Sequence, residues 1–189
     1  LGRPDGGRQA QVDRRPPPGH PRHRQGGDGG HHADVGEHIG QAAAGAVVES
    51  SVRLGELTLE TAPDKLIGLL TFLRDDPKCL FKQLIDVCGV DWPEREKRFD
   101  VVYHLYSPRN NVRVRIKVPV TEAEPNVPTL TGLYGSARYI EREVHEMYGI
   151  VSIGNDDLRP ILLYEGFEGH PLRKDYPIDM EQPIVAYRK

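Results

Sequence analysis

The side chains best suited to chemistry lie in a polar stretch near the C-terminal end of the chain, EGFEGHPLRKDYP at residues 165–177. Glu168, His170 and Asp175 could act as acid–base groups if the fold brought them together. The alternative is a segment that docks on another protein. The sequence favours docking, because it contains no nucleophile elbow, phosphate loop or dinucleotide-binding glycine motif that would give these groups a substrate site.

A docking segment needs charged contacts and apolar anchors, and this stretch offers both. Its prolines limit the conformational entropy lost on binding. The candidate contact residues are the charged Arg173, Lys174 and Asp175 and the apolar Phe167, Leu172 and Tyr176. We expect Phe167, Leu172, Arg173 and Lys174 to be buried only when a partner is present.

A second group of chemically capable residues lies in the stretch EREVHEMYG. His145 and Glu146 begin like the HExxH zinc motif, but Gly149 stands where the second histidine is required. Glu141 and His145, four residues apart, could share a metal on one face of a helix, yet the pattern places no third ligand. An Arg142–Glu146 ion pair and a solvated His145 are the favoured interpretation.

Composition excludes several classes of function. The chain has 189 residues and a formal net charge of -3, so it lacks the basic field of a nucleic-acid-binding protein. It contains no run of eighteen apolar residues, which excludes a direct membrane span on the sequence pattern. Cys79 and Cys88 do not form a C-x-x-C pair and have no histidine pair nearby in sequence, so neither an iron–sulfur cluster nor a zinc site is predicted.

Residues 1–52 differ in composition from the rest of the chain. The first fifty contain no Phe, Tyr, Trp or Lys but hold eleven of the twenty glycines, which leaves little apolar surface to bury. We therefore predict that residues 1–52 form a disordered leader. Its histidines could chelate a metal if exposed, although no helical or hairpin pattern holds them together: His20, His23, His31, His32 and His38.

The remaining sequence predicts an α+β fold at residues 53–152, followed by an extended arm at residues 153–189. Alternating apolar residues predict a strand in GELTLETA, a second in FKQLIDVCGVDW and a hairpin in FDVVYHLYS and NVRVRIKVPV. Helical spacing predicts amphipathic helices from Pro63 and over residues 136–148, the latter capped at Ser136 and ended by Gly149. These elements suggest a small, mostly antiparallel mixed sheet with two main helices on one face.

Three segments together resemble a known family. EREVHEMYGI, DLRPILL and EGFEGHPLRKDYP, in that order, closely resemble the signature region of the 30-kilodalton subunit of respiratory complex I, known in bacteria as the C subunit of NADH:quinone oxidoreductase. VDWPEREKRFDVVYHLYS resembles the preceding strand pair of the same family. The resemblance covers roughly residues 54–178.

The resemblance implies a peripheral-arm subunit with no catalytic residue, cofactor or metal of its own. FMN, iron–sulfur clusters and quinone would belong to partner subunits, and the chain would pack against the 49-kilodalton quinone-site subunit. It also implies a peripheral location on the cytoplasmic face of a bacterial inner membrane. The alternatives are an equivalent subunit of a related membrane-bound hydrogenase or ferredoxin-linked complex, a stand-alone small enzyme, and a metal-binding protein.

The resemblance assigns structural or interfacial roles to two sets of residues. The helix set is Glu141, Arg142, Glu143 and Glu146, and the arm set is Phe167, His170, Pro171, Leu172, Arg173, Lys174 and Asp175. The chain departs from the family pattern between these sets. It reads Gly154-Asn155-Asp156 where the family usually has Gly-His-Pro, and Pro160 replaces a usual arginine. The local contact of that family histidine is therefore not expected here.

Overall fold

The computed structural model describes residues 28–180 of the chain. The helices of this part are α1 (Asp28–Ala42), α2 (Leu66–Asp75), which a short 3-10 turn (Pro63–Lys65) precedes, and α3 (Ala137–Tyr148). The strands are β1 (Glu49–Arg53), β2 (Glu56–Glu60), β3 (Gln83–Asp91), β4 (Phe99–Ser107), β5 (Val112–Val120), β6 (Asn126–Pro128) and β7 (Val151–Ile153). None of the helices within residues 28–180 is long and apolar enough to cross a membrane.

Five strands form a mixed sheet in the order β1-β2-β5-β4-β3. Every neighbouring pair is antiparallel except β2 and β5, which are parallel. The predicted hairpin is confirmed as β4 and β5, and its turn contains Asn111 with a φ of 52°, a left-handed conformation that asparagine tolerates. β6 and β7 form a separate parallel pair. The α+β fold with a mostly antiparallel mixed sheet is therefore confirmed.

One face of the sheet carries the core, because side chains alternate between the two faces of a strand. In β5 the apolar residues Val112, Val114, Ile116, Val118 and Val120 are all buried. The opposite face of β5 is polar, and there the Arg115 Nη2 donates to Glu56 Oε2 at 2.7 Å. The helices cover the core face, where four buried leucines of α2 join the same cluster.

The prediction of a disordered leader is wrong for residues 28–52. α1 occupies 15 residues, and its Val35 and Ile39 are buried in the core. β1 pairs with β2 along its whole length. The average composition hid a local pattern, since Val35 and Ile39 are four residues apart and lie on one face of the helix. Residues 1–27, with the predicted histidines at positions 20 and 23, lie outside the described residues.

The end of α3 follows the sequence prediction. Gly149 adopts a left-handed conformation with a φ of 76°, and its backbone N–H donates to His145 O at 2.8 Å. Glycine suits this position because it carries no Cβ penalty there. Ser136 stands at the N-cap position of α3, but its hydroxyl donates to Leu84 O at 3.3 Å instead of capping the helix. Residues 154–180 then run without helix or strand along the end of α3.

Candidate docking surface

Glu146 on α3 binds the backbone of the segment that follows β7. Its carboxylate accepts hydrogen bonds from the backbone N–H groups of Ile161, Leu162 and Leu163 at 2.9, 3.0 and 3.1 Å. Glu146 is only 5% exposed, so these charge-assisted bonds replace its lost hydration. The predicted ion pair between Arg142 and Glu146 is therefore wrong, because Glu146 is occupied by backbone donors.

Arg142 holds the same segment from the next turn of the helix. Its Nε donates to Arg159 O at 2.7 Å, and its Nη2 donates to Pro160 O at 2.9 Å. Asp157 lies close by, with Oδ2 at 3.7 Å from Arg142 Nη1. Hydrogen bonds from Arg159 hold the pKa of Asp157 well below its usual range. Arg142 and Glu146 together fix residues 157–163 to α3.

Glu141 is a buried structural carboxylate with no metal-binding partner among the described residues. It is 2% exposed and accepts hydrogen bonds from Leu130 N at 2.7 Å, Thr129 Oγ1 at 2.7 Å and Asn155 Nδ2 at 2.9 Å. Asn155 is the residue that stands where the family usually has histidine, and its amide provides one of these bonds. Glu141 therefore joins the loop before α3 to the loop after β7.

His145 does not share a ligand with Glu141. Its Nδ1 lies 3.0 Å from Ile150 O, so the ring is tied to the backbone instead of being solvated as predicted. Glu143, the remaining acid of the helix motif, is exposed. The structure thus divides the helix set of the sequence analysis into two buried carboxylates, one arginine clamp and one surface acid.

The arm motif completes the C-terminal end of α3. The last four carbonyls of a helix have no partner within it and need other donors. Gly149 N serves the first of them, and His170 Nδ1 lies 2.9 Å from the second, Glu146 O. Because a carbonyl only accepts, Nδ1 must be the donor of this bond.

The third and fourth carbonyls are satisfied from the same segment. Leu172 N donates to Met147 O at 3.2 Å, and Arg173 Nε donates to Tyr148 O at 2.7 Å. The positive charge of Arg173 also suits the negative end of the helix dipole. A Cβ at Gly149 would lie 2.7 Å from Arg173 Nη2, so glycine is needed there for space as well as for its φ. The arm motif is the C-terminal cap of α3.

A buried arginine joins the arm to the sheet. Arg98 is 8% exposed, and its Nε and Nη2 donate to the two carboxylate oxygens of Asp91 at 2.8 and 2.9 Å. Its Nη1 donates to Glu122 at 2.8 Å and to Asp175 at 2.9 Å. The backbone N–H of Lys174 donates to Asp91 Oδ2 at 2.7 Å. Sequence reasoning missed Asp91 and Arg98, because Arg98 ends a charged stretch that indicates a loop.

This network depresses the pKa of its carboxyl groups. Hydrogen bonds from Arg98 are the main cause for both Asp91 and Asp175, and they outweigh the opposing effect of burial. The same contacts raise the pKa of Arg98, with Asp91 as the largest contributor. Asp91, Asp175 and Arg98 are therefore all charged at neutral pH.

The depressed pKa of Asp91 predicts an acid-dependent loss of stability. A carboxyl whose pKa is lower in the folded state stabilises the protein above its unfolded pKa, about 3.9, and this contribution is lost as the pH falls through the folded value. The free-energy difference between the protein and Asp91→Asn should therefore be largest at neutral pH and shrink below about pH 4. Urea unfolding of both proteins across this range measures it, and a difference that grows in acid would contradict the assignment.

The apolar side chains of the arm do not share in these internal contacts. Leu162 and Leu172 are 63% and 51% exposed, although their backbone N–H groups are bonded to α3. Further exposed apolar residues of the same segment are Ile161, Ile178 and Met180. We call the set Ile161, Leu162, Leu172, Ile178 and Met180 the apolar arm surface.

The expectation for the arm residues therefore needs a correction. Arg173 is already half-buried in the free chain, because its own α3 provides the partner. Phe167 is half-buried too, with its ring stacked on Tyr176 at 6.2 Å between centroids. Leu172 and Lys174 are exposed as expected for residues that await a partner. Pro171, between His170 and Leu172, is half-buried.

The acid–base alternative gains no support from this geometry. His170 Nδ1 is held by the carbonyl of Glu146, and Asp175 is held by Arg98. These two groups serve different elements of the fold and do not converge on a common space. Their polar atoms act in folding the arm.

A conservative change of Glu146 should loosen the arm. Glu146→Gln removes the charge that strengthens the bonds to Ile161, Leu162 and Leu163, and hydrogen bonds to charged groups contribute about 1.5–3 kcal/mol each. We expect the amides of these three residues to exchange at least about tenfold faster with solvent, which hydrogen–deuterium exchange measures. Glu143→Gln on the same helix is the control and should leave them unchanged. Equal exchange in both variants would contradict this role of Glu146.

Comparison with known proteins identifies the family of the chain. Residues 59–182 match the family described as the 30 Kd subunit of respiratory-chain NADH dehydrogenase. The chain belongs to this family. The C subunit of NADH-quinone oxidoreductase from Agrobacterium fabrum is 57% identical over 145 residues, which are 77% of this chain and 72% of that protein. The first of the C subunits from Rhizobium etli is 54% identical over 144 residues, with 76% of this chain and 72% of that protein covered.

Solved structures agree with the 30-kilodalton subunit fold. A trypsin-resistant fragment (1-134) of Nqo5 matches with a TM-score of 0.54 and 28% identity, over 67% of this chain and 99% of the fragment. The membrane-bound sulfane sulfur reductase, an archaeal respiratory membrane complex, contains a chain that matches with a TM-score of 0.66 and 25% identity, over 77% of this chain and 85% of that one.

Proposed function

We propose that this chain is a structural subunit of the peripheral arm of a proton-pumping NADH:quinone oxidoreductase. It supports electron transfer from NADH to quinone by fixing the position of other subunits, and it contributes no cofactor of its own. Family membership and relatives of 52–57% identity that are named as NADH-quinone oxidoreductase subunits support this proposal. We expect FMN, iron–sulfur clusters and quinone to belong to the partner subunits.

The observation that carries the proposal is the division of labour within the arm. Polar groups of the arm motif bond to α3 and to the Asp91–Arg98 pair, whereas the apolar arm surface remains exposed. A cluster of exposed apolar side chains on an ordered backbone is typical of a protein–protein interface. Because the arm is already ordered, less conformational entropy is lost on association than for a flexible tail.

The partner that best suits this surface is the 49-kilodalton quinone-site subunit. Apolar residues would form the centre of that contact, with Lys174 among the charges at its rim. The complex would lie at the cytoplasmic face of a bacterial inner membrane, and this chain would be peripheral to the bilayer.

A related membrane complex is the second candidate. The matching chain from the archaeal sulfane sulfur reductase has a higher TM-score than the Nqo5 fragment, 0.66 against 0.54. Its 25% identity is less than half of the 57% identity to the NADH-quinone oxidoreductase subunit of Agrobacterium fabrum, which favours NADH as the electron donor.

Affinity purification from detergent-extracted membranes tests the proposal. The tagged full-length chain should co-purify with a quinone-site subunit, iron–sulfur subunits and an NADH-oxidising flavoprotein, identified by mass spectrometry. The association should survive high salt, because its centre is apolar. Recovery of hydrogenase or ferredoxin-linked subunits would support the second candidate, and recovery of the folded chain alone would overturn both.

A further inference from the structure

A cluster of metal-binding side chains lies outside the docking surface, where α1 meets the turn between α2 and β3. The imidazole of His38, the carboxylate of Asp76 and the thiol of Cys79 each place a ligand atom within 4.8 Å of the others. His38 Nε2 is 3.1 Å from Asp76 Oδ1. The fold of α1 brings His38 to two residues that are distant from it in sequence, which spacing alone could not indicate.

We propose that His38, Asp76 and Cys79 bind a divalent transition-metal ion, with zinc the best fit. Zinc in proteins takes nitrogen from histidine, sulfur from cysteine and oxygen from carboxylates, commonly in a tetrahedron. Three protein ligands leave the fourth position to water. The sulfur and nitrogen donors discriminate against magnesium and calcium, which prefer oxygen ligands only.

Two of the three ligands are held in place by bonds that do not involve a metal. Asp76 Oδ1 accepts hydrogen bonds from the backbone N–H groups of Lys78 at 2.9 Å and Cys79 at 3.2 Å, which orients the carboxylate. Asn110 of the β4–β5 turn donates to Lys78 O at 2.8 Å and to Cys79 O at 3.1 Å. The turn that carries the carboxylate and the thiol is thus fixed from both sides, as expected for an ordered ligand set.

His38 completes the cluster from a separate element. Its ring packs against Phe72 with 6.0 Å between centroids, so α2 limits its orientation. The side chains of His38 and Asp76 are 22% and 18% exposed, whereas Cys79 is fully buried. An ion can therefore enter from solvent on the histidine side and reach the buried sulfur.

Metal binding at this site must release a proton. Burial, together with the nearby Asp76 carboxylate, raises the pKa of the Cys79 thiol to about 12. Cysteine binds metals as the thiolate, so the thiol proton leaves when the metal–sulfur bond forms. One proton per ion should appear in solution. The bound ion would also fasten α1 to the core, because His38 is its ligand on that helix.

Cobalt titration of the full-length chain, purified in reducing buffer with a thiol-free reductant, tests the site. We expect one cobalt ion per chain to give a thiolate-to-cobalt charge-transfer band that zinc removes. Cys79→Ala should abolish the band, and His38→Gln should weaken cobalt binding at least about tenfold. Cys88→Ala, the matched control at the other cysteine, should leave the band and the affinity unchanged.

The spectroscopic band distinguishes this site from the histidines of residues 1–32, a stretch that contains no cysteine. Cobalt binding without the band, or a band that persists in Cys79→Ala, would overturn the proposal. Circular dichroism establishes that each variant is folded. If Cys79→Ala is not, Asp76→Asn is the second variant, because its amide oxygen can still accept the two backbone bonds. It should weaken cobalt binding at least about tenfold, and unchanged affinity would also overturn the proposal.

Discussion

Replacing Arg98 with alanine should lower the free energy of unfolding of this 30-kilodalton-type subunit by about 3–5 kcal/mol. The side chain of Asp91 is fully buried, and both of its carboxylate oxygens accept hydrogen bonds from Arg98. Removal of the guanidinium leaves that carboxylate without its compensating charge in a place where water cannot replace it. The same change frees Asp175, and with it one attachment of the arm to the sheet.

Urea unfolding at neutral pH measures this loss. Arg115→Ala is the matched control, since the ion pair of Arg115 with Glu56 is solvated on the polar face of the sheet and should contribute little. Arg98→Met separates charge from volume, because it restores apolar bulk but leaves Asp91 uncompensated, and it should recover only part of the stability. Equal losses for Arg98→Ala and Arg115→Ala would show that the buried network does not stabilise the fold.

The second large effect is expected on assembly. Leu162→Glu combined with Leu172→Glu places two carboxylates in the centre of the apolar arm surface. Burial of unpaired charge against a partner is strongly unfavourable, so affinity for the rest of the complex should fall by at least about 100-fold. Both side chains are more than half exposed in the free chain, and the isolated variant should therefore unfold at nearly the same urea concentration as the unchanged protein.

Co-purification of each variant from membranes that lack the unchanged chain measures assembly, and NADH:quinone activity of those membranes measures its consequence. Leu54→Glu is the control, because Leu54 is 96% exposed at the β1–β2 turn, away from the arm. It should assemble normally. Normal assembly of the double variant would remove the apolar arm surface from the interface.

The sequence predicts the regular elements well because their periodicity reflects one-sided burial. The alternation of Val112 through Val120 and the spacing of the leucines in α2 have no other simple explanation, and both are confirmed. α1 escapes prediction for a physical reason. Its apolar face consists of little more than Val35 and Ile39, so its order depends on Leu57 and other core residues that are distant in sequence.

The docking surface is harder to predict, because its polar residues bind atoms that every sequence contains. Glu146 binds three backbone N–H groups, and His170 and Arg173 bind carbonyls at the end of α3. A pattern of side chains does not identify such partners, and helical spacing instead pairs Glu146 with Arg142. The motif resemblance marks the correct residues, whereas their contacts require the three-dimensional arrangement.

The division of the arm into an internal polar side and an outward apolar side has a consequence for how the interface is studied. Deletion of residues 166–177 would remove the cap of α3 and the bonds to Asp91 and Arg98 together with the docking residues. Loss of assembly after such a deletion would not separate misfolding from a missing contact. Single exposed side chains such as Leu162 and Leu172 avoid this ambiguity.

Site-specific photo-crosslinking from position 172 in the assembled complex tests the central claim most directly. A photoreactive amino acid in place of Leu172 should join this chain to the 49-kilodalton quinone-site subunit, identified by mass spectrometry of the linked peptides. The same amino acid in place of Leu54 should give no such product. Crosslinks from position 172 that reach only this chain itself, in a complex that is otherwise complete, would contradict the proposed docking surface.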